Sequence, residues 1–593
     1  MNKQKIDGIT LEVMKNAFYT ITEEMGTTLI RTALSTNIKD RMDCSTAIYT
    51  PKGELVAQAE HVPLHLGLMP SVVKEVLKIH PVTEMEQGDA ILINDPYISG
   101  SHLPDVFMIS PIMYRGELVA IAANIAHHVD VGGIAPGSMS VQATEIFQEG
   151  LRLPGIKIRR KGEVDKEILR LIETNVRTSK EVTGDIYAQL AANNVGEKRI
   201  IDLIERYSVE YLTLCMDEIM NYSDRRMRAA IQNVQNGVYE FEDVLEGDGI
   251  MEDDLTVKVT VNIKDDTINV DFTGSANQTN GPVNSTHGVT SACVFYAIKS
   301  LVDKDVPPNE GTYRSITIDA PKGTIVNPNF PAPVSNANVN TSQRITDTIF
   351  GALAEVLPED SMAACAGTMN AFTIGGYDKE KNEYFSYVET YGGGQGALKD
   401  LDGMDGVHTN MTNTLNTPVE VIEQSFPLLV NKYGLVEGSG GPGKQRGGLG
   451  LEREITLLED DLMITITSDR QKYSPWGLFG GKGGKTSMCT LQLPNGNVKE
   501  LSSKSTFSAP KGSRITLSTA GGGGYSSPLS RDPQLVLRDV KEGNISEKEA
   551  YKDYGVIIND LIIDEAATDE ERRVIAESFI IQKGDSDGKR NGK

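Results

Sequence analysis

The stretch from His102 to Asp130 constrains this chain more than any other. His-Leu-Pro-Asp (102–105) and His-His-Val-Asp (127–130) repeat one H-x-x-D pattern, and between them lie two apolar runs, Phe107–Met113 and Leu118–Ile125. Both runs have strand length, and the polar Tyr114-Arg115-Gly116-Glu117 joins them, so the segment reads as a single β-hairpin. A turn centred near Arg115-Gly116 places Asp105 opposite Ala126 and gathers His102 and His127 at one end of the ribbon. Directly paired residues of an antiparallel ladder lie roughly 4.5–5.5 Å apart at Cα, so imidazoles and carboxylates distant in sequence can reach one ion.

The histidine distribution points the same way. Six of the eight histidines (His61, His65, His80, His102, His127, His128) fall in the first 130 residues, leaving only His287 and His408 beyond. A site of His102, Asp105 and His127 offers nitrogen and oxygen donors with no thiolate pair, which suits one divalent ion: zinc, manganese or iron(II). Asp43, at the expected entrance of a strand over Thr46–Tyr49, is the fourth candidate ligand. His128 follows His127 and on a strand points the opposite way. It is expected to act beside the metal or to face substrate, with Asp130 as an orienting carboxylate; these two are the candidate catalytic residues. His61 and His65 read equally well as pocket lining or as ligands. Gly132-Gly133 and Pro136-Gly137 suit either a loop lying close to a ligand or an ordinary surface turn.

A chain of 593 residues exceeds a single domain several-fold. The 82 acidic against 58 basic side chains, net −24, repel polyphosphate and argue against nucleic acid as partner. Five scattered cysteines without C-x-x-C spacing give no disulfide framework, which fits a reducing cytoplasm. No apolar run is long enough to predict a membrane span or a secretory leader.

The expected fold class is α+β and multi-domain. An N-terminal metal-binding α/β part covers residues 1–160, opened by an amphipathic helix carrying Met14, Phe18, Ile21, Met25 and Leu29. A helical segment follows over 161–237. A β-rich region with glycine-rich loops spans 238–530 and begins with the hairpin of Leu255, Val257, Val259, Val261 and Ile263 against Ile268, Val270 and Phe272. Residues 531–593 form an extension with a helix opened by a Thr568-x-x-Glu571 capping box and a disordered polar tail.

Gly438 to Lys444 satisfies G-x-x-x-x-G-K, yet Gln445 replaces the metal-binding hydroxyl and no helix start follows, so a nucleotide-binding P-loop is rejected. The loop is left to hold an anionic group through its amides with Lys444 or Arg446, or to turn between strands.

Six segments carry a resemblance: NDPYISGSHLPD (94–105), AHHVDVGGIAPGS (126–138), FTGSANQTNGPVN (272–284), NTLNTPVEVIE (413–423), SGGPGKQRGGLG (439–450) and GGGGYSSPLSRDP (521–533). In this order the chain resembles the hydantoinase B/oxoprolinase family from about residue 7 to 555. The resemblance implies a metal-bearing subunit that works with a separate, hydantoinase A-type ASKHA-fold subunit, in a hetero-oligomer such as (AB)2. That partner, not this chain, uses ATP and magnesium to phosphorylate a carbonyl oxygen. The resemblance also implies a divalent metal on Asp43, His102, Asp105 and His127. Two activities occur in the family: ATP-dependent opening of cyclic amides (hydantoins, N-methylhydantoin, lactams, 5-oxoproline) and ATP-dependent carboxylation of ketones such as acetone and acetophenone. The length favours the first, with metal-activated water attacking the phosphorylated carbonyl carbon. The alternatives are the ketone carboxylase and a non-catalytic structural subunit.

Overall fold

Seven strands build an antiparallel sheet in the N-terminal part of the structure, a computed structural model that describes residues 6–59 and 61–588, with backbone alone over 578–588. They are β1 (Cys44–Tyr49), β2 (Leu55–Gln58), β3 (Ala90–Ile93), β4 (Asp105–Tyr114), β5 (Glu117–His127), β6 (Pro154–Arg160) and β7 (Glu163–Val164), in the spatial order β2-β1-β5-β4-β3-β6-β7.

The β4–β5 hairpin turns where the sequence predicts. Arg115 and Gly116 both take positive φ (51° and 86°), the backbone that a two-residue hairpin loop requires. Its register differs from expectation by one residue. Met113 pairs with Leu118 near the turn, but a bulge between Ile112 and Met113 shifts everything beyond, so Asp105 pairs with His127 and Ala126 with Val106. The inserted residue improves the site, because directly opposed residues present their side chains on the same face.

Both faces of this sheet are covered, and period-two alternation decides which residue goes where. Ala47, Tyr49, Ile91, Phe107, Ile109, Ile121 and Ile125 pack in one buried cluster with Leu68, Met69, Val72 and Val76 of the helix Pro63–Ile79. Ile48, Ala120, Ala122 and Ala126 lie on the other face, against Met14, Phe18, Met25 and Leu29 of the helix Gly8–Thr32. The helix Ser179–Tyr207 crosses the same face at small residues; a Cβ on Gly196 would stand 2.6 Å from the Met25 sulfur.

The cluster under the Pro63–Ile79 helix continues into a second sheet, β8 (Gly237–Glu246), β9 (Asp254–Lys264), β10 (Thr267–Asp271) and β11 (Ile316–Asp319), in the order β11-β10-β9-β8. The hairpin expected near residue 260 is β9–β10, turning at Asp265-Asp266. Beyond residue 370 a four-stranded and a five-stranded antiparallel sheet enclose a further core containing Phe372, Ile374, Tyr387, Ile455, Ile464 and Leu517. The architecture is α+β and multi-domain, as expected.

The glycine-rich loops pack against one another. Along Gly521–Gly524 successive amides donate to Lys485, Gly448, Ala364 and Lys482 carbonyls, in three separate segments, at 2.8–3.1 Å. A Cβ on Gly522 would lie 2.0 Å from the Gln395 carbonyl oxygen. The amides of Gly441, Gln445 and Gly448 are likewise spent on Gly522, Tyr525 and Gln395 carbonyls, and Arg446 is tied to Asp405. The 438–450 loop is therefore a packing element.

At the C-terminus the helix Glu565–Gly588 begins before Thr568, whose hydroxyl instead accepts from the Ile557 amide. The helix reaches into the polar stretch expected to be disordered; residues 589–593 lie outside the described residues. Among the described residues no helix is long and apolar enough to cross a membrane.

Candidate metal centre

His102, Asp105 and His127 offer ligand atoms that all lie within 4.8 Å of one another, and all three residues are buried. Each arrives by a different local device. The Asp105 amide donates to the His102 carbonyl (3.1 Å), so the Leu103-Pro104 turn folds the first imidazole back over the carboxylate, His102 Nε2 to Asp105 Oδ2 being 3.3 Å. His127 stands directly opposite Asp105 across the ladder. The two imidazole rings meet edge to face at 5.0 Å.

Asp43 comes to the same cavity from β1 but stands outside the 4.8 Å cluster. Cys44 pairs with Ala126, and the Asp43 carbonyl accepts from the His127 amide at 3.0 Å, so β1 continues the ladder to the site. Asp43 lines the same cavity as the other three, beside His65 Nε2 at 3.8 Å and Arg41 Nη2 at 3.9 Å. Residues 43, 105 and 127 share one face of the sheet, the face covered by the helix Pro63–Ile79, whose first turn carries His65. His65 Nε2 lies 3.6 Å from Asp105 Oδ1, and Ser45 Oγ lies 3.4 Å from its Nδ1.

His128 and Asp130 are elsewhere. As alternation requires, His128 turns to the opposite face, where Nε2 lies 3.1 Å from Gln189 Oε1 of the helix Ser179–Tyr207. The Asp130 carboxylate accepts from the Gly132, Gly137 and Arg177 amides and from the Arg177 guanidinium at 2.9–3.1 Å, which shapes the loop after β5. Neither residue lines the cavity. The group beside His127 is Asn37, its Nδ2 3.2 Å from His127 Nδ1. His61 faces away, 3.6 Å from Glu23.

Electrostatics favour cation binding. Burial would raise the Asp105 carboxyl, but His102 and His65 outweigh it and hold the group well below the usual carboxylate range. Burial opposes charge on His102, yet the Asp105 carboxylate holds that imidazole above its ordinary value. Burial pushes His127 down to about 4, so its ring is neutral at pH 7 and keeps a free lone pair. The residues also fit a metal on hydrogen-bond grounds. Asp105 Oδ2 accepts from Ser101 Oγ and from Asn338 Nδ2, whereas Oδ1 is buried with no hydrogen-bond partner among the described residues, its near neighbour being His65 Nε2 at 3.6 Å. A buried anionic oxygen without a hydrogen bond is costly unless a cation meets it. His102 Nδ1 faces the Ser335 carbonyl at 2.9 Å; because a carbonyl only accepts, Nδ1 carries a proton and Nε2 is the nitrogen turned to the site, where a metal would take the place of the proton that Asp105 favours.

The candidate ligands line one cavity. Its walls beyond the ligands are mainly apolar, including Val62, Leu64, Met139, Val339, Met369 and Met411. Arg41 supplies a buried cation. Its Nη1 donates to Asn37 Oδ1 and the Val388 carbonyl, its Nη2 to Thr390 and Thr414 hydroxyls, and its Nε has no partner among the described residues. Asn37, Ser335 and Asn338 are remote from the H-x-x-D motifs, and no sequence signal ties them to the site. A signal for Arg41 existed: a charged residue two positions before Asp43, in a segment entering a buried strand.

Comparisons with known proteins place this arrangement in a family. The model for "Hydantoinase B/oxoprolinase" matches residues 7–528. A protein of Pseudomonas sp. (strain NS671), provisionally named as one subunit of a D-/L-hydantoinase, is 36% identical over 96% of this chain and 99% of its own. The crystal structure of the ATP-dependent caprolactamase from Pseudomonas jessenii superposes with a TM-score of 0.90 at 31% identity, covering 96% of this chain and all of that one. Acetone carboxylase, in its nucleotide-free structure, gives a TM-score of 0.89 at 20% identity over 96% of this chain and 83% of that one, a likeness that speaks to fold alone. The chain belongs to the hydantoinase B/oxoprolinase family.

Proposed function

We propose that this chain is the metal-holding subunit of an ATP-dependent cyclic-amide hydrolase, paired with a separate ATP-using subunit in a hetero-oligomer. The observation that carries the reading is the buried cluster of His102, Asp105 and His127, on a chain alike over 96% of its length to an ATP-dependent caprolactamase. Zinc, manganese or iron(II) suits these donors, with Asp43 as fourth ligand. Such an ion supplies a Lewis acid for a carbonyl oxygen or for water.

The chain's own residues supply the rest. Ser101 and Asn338 saturate Asp105 Oδ2 and turn Oδ1 inward; Ser335 fixes the His102 tautomer. His65 is placed to hold a proton between the Asp43 and Asp105 carboxylates, where water would be activated. The apolar wall excludes bulk water and receives an uncharged ring, because the four Nη hydrogens of Arg41 are already engaged and cannot clamp a carboxylate. The partner's part is to phosphorylate the ring carbonyl, since a resonance-stabilised amide is a poor electrophile and phosphate a good leaving group. His128 and Asp130 support the site through the fold, from the far face of the sheet and from the following loop.

The test is an assay of the chain with its ATP-using partner on a panel of lactams and hydantoins. Ring opening is expected only with ATP and partner present, and kcat is expected to fall at least about 1,000-fold in His102→Ala and His127→Ala. Undiminished turnover in both variants contradicts the metal role. Bicarbonate-dependent carboxylation of a ketone instead of ring opening contradicts the hydrolase assignment.

A further inference from the structure

We propose that Glu149, 47 residues beyond His102, is a positioning residue for the metal centre, acting through the Ser335 peptide to aim His102. The inference rests on His102 being a metal ligand. Glu149 follows a single helical turn, Ile146–Gln148, and is 1% exposed. Its Oε1 accepts from the Val334 amide at 2.9 Å and the Ser335 amide at 2.8 Å. The next carbonyl, that of Ser335, is the acceptor for His102 Nδ1 at 2.9 Å, and the Asn336 amide of the same peptide is anchored on the Pro282 carbonyl at 2.9 Å. Carboxylate, two amides, one carbonyl and one imidazole thus form a chain in which each group has a single orientation.

The glycine pair after the second H-x-x-D motif finds its use here. Gly133 has φ +85°, and a Cβ there would lie 2.6 Å from the Glu149 carbonyl carbon and oxygen. Ile134 and Leu151 amides donate to the Gln148 and Val131 carbonyls, locking residues 131–134 against 148–151. The loop approaches Glu149 closely rather than a ligand. Burying a carboxyl in this way is costly, and the two amides that its Oε1 accepts from offset part of that cost. Its Oε2 has no partner among the described residues, so the order it imposes is on the 334–335 backbone.

The experiment is Co2+ titration of the metal-stripped chain, following visible absorption, which reports affinity and coordination together. Wild-type, Glu149→Leu, Glu149→Gln and Glu149→Asp are compared, with thermal unfolding recorded for each. Glu149→Leu is expected to weaken Co2+ binding at least about 10-fold and to alter the spectrum. Glu149→Gln, which keeps an oxygen acceptor, should stay within about threefold of wild-type. If Glu149→Leu does not fold, Glu149→Asp decides, its shortened carboxylate giving a smaller loss with the same spectral change. Unchanged affinity and spectrum in the deciding variant, whatever its stability, overturns the proposal. Failure of the wild-type chain to bind Co2+ removes the metal reading itself and this inference with it, a result distinguishable from the previous one.

Discussion

At the scale of single residues, one position in register separates ligands from bystanders. His127 and His128 are adjacent, yet alternation sends one toward Asp105 and the other toward Gln189. His128→Ala is therefore expected to cost about 1–3 kcal/mol of stability through the abandoned Gln189 partner while leaving metal stoichiometry unchanged; loss of metal in a folded His128→Ala chain would contradict the assignment of faces. The H-x-x-D repeat made His102, Asp105 and His127 legible in the sequence, and Asp43 followed from a strand entrance. His65, Arg41 and Glu149 were less legible because their proximity depends on packing between elements. The one-residue error in pairing has a local cause as well, since the bulge at Ile112/Met113 carries no glycine to announce it.

At the scale of elements, two devices hold the later part of the chain together. The first is ionic. Asp243 on β8 meets Arg344 at 3.0 Å and Arg470 at 2.8 Å, all buried. Burial alone would raise the Asp243 carboxyl, but the two guanidinium groups outweigh it and hold it below its ordinary value. A carboxylate depressed in the folded state contributes stability above its unfolded pKa, about 3.9, and that contribution fades as pH falls below it. Asp243→Asn is accordingly expected to cost about 3–5 kcal/mol at pH 7 in denaturant melts, with the gap to wild-type narrowing below about pH 4. An equal gap at pH 3 and pH 7 would contradict this. The second device is steric. Gly522→Ala, with its Cβ 2.0 Å from a carbonyl oxygen, is expected to cost at least about 3 kcal/mol or to abolish soluble expression. Gly434→Ala, with nothing within 4 Å, should stay within about 0.5 kcal/mol. The amphipathic helix over Gly8–Thr32 and the β9–β10 hairpin were legible because periodicity is local; the glycine packing was not, because glycine runs have no side-chain pattern to read.

At the scale of the whole molecule, the candidate centre lies where the N-terminal sheet meets chain from far downstream. Asn338, Val388, Thr390 and Met411 close a cavity whose candidate ligands all come from the first 130 residues, and the Ser335 carbonyl holds one of them, His102. This is why the ligands could be located from sequence while the pocket could not be assembled. It also explains a long chain for a small site: downstream residues complete the apolar wall that Val62, Leu64 and Met139 begin, and supply the hydroxyls that hold Arg41. Everything at this scale depends on the proposal that these residues hold a divalent cation. The most direct measurement is elemental analysis of the purified chain after reconstitution with zinc, manganese or iron(II), beside His102→Ala and His127→Ala. One equivalent of divalent metal is expected in wild-type and a loss of most of it in both variants, with folding retained. A wild-type chain without stoichiometric metal, or folded variants that keep a full equivalent, would contradict it.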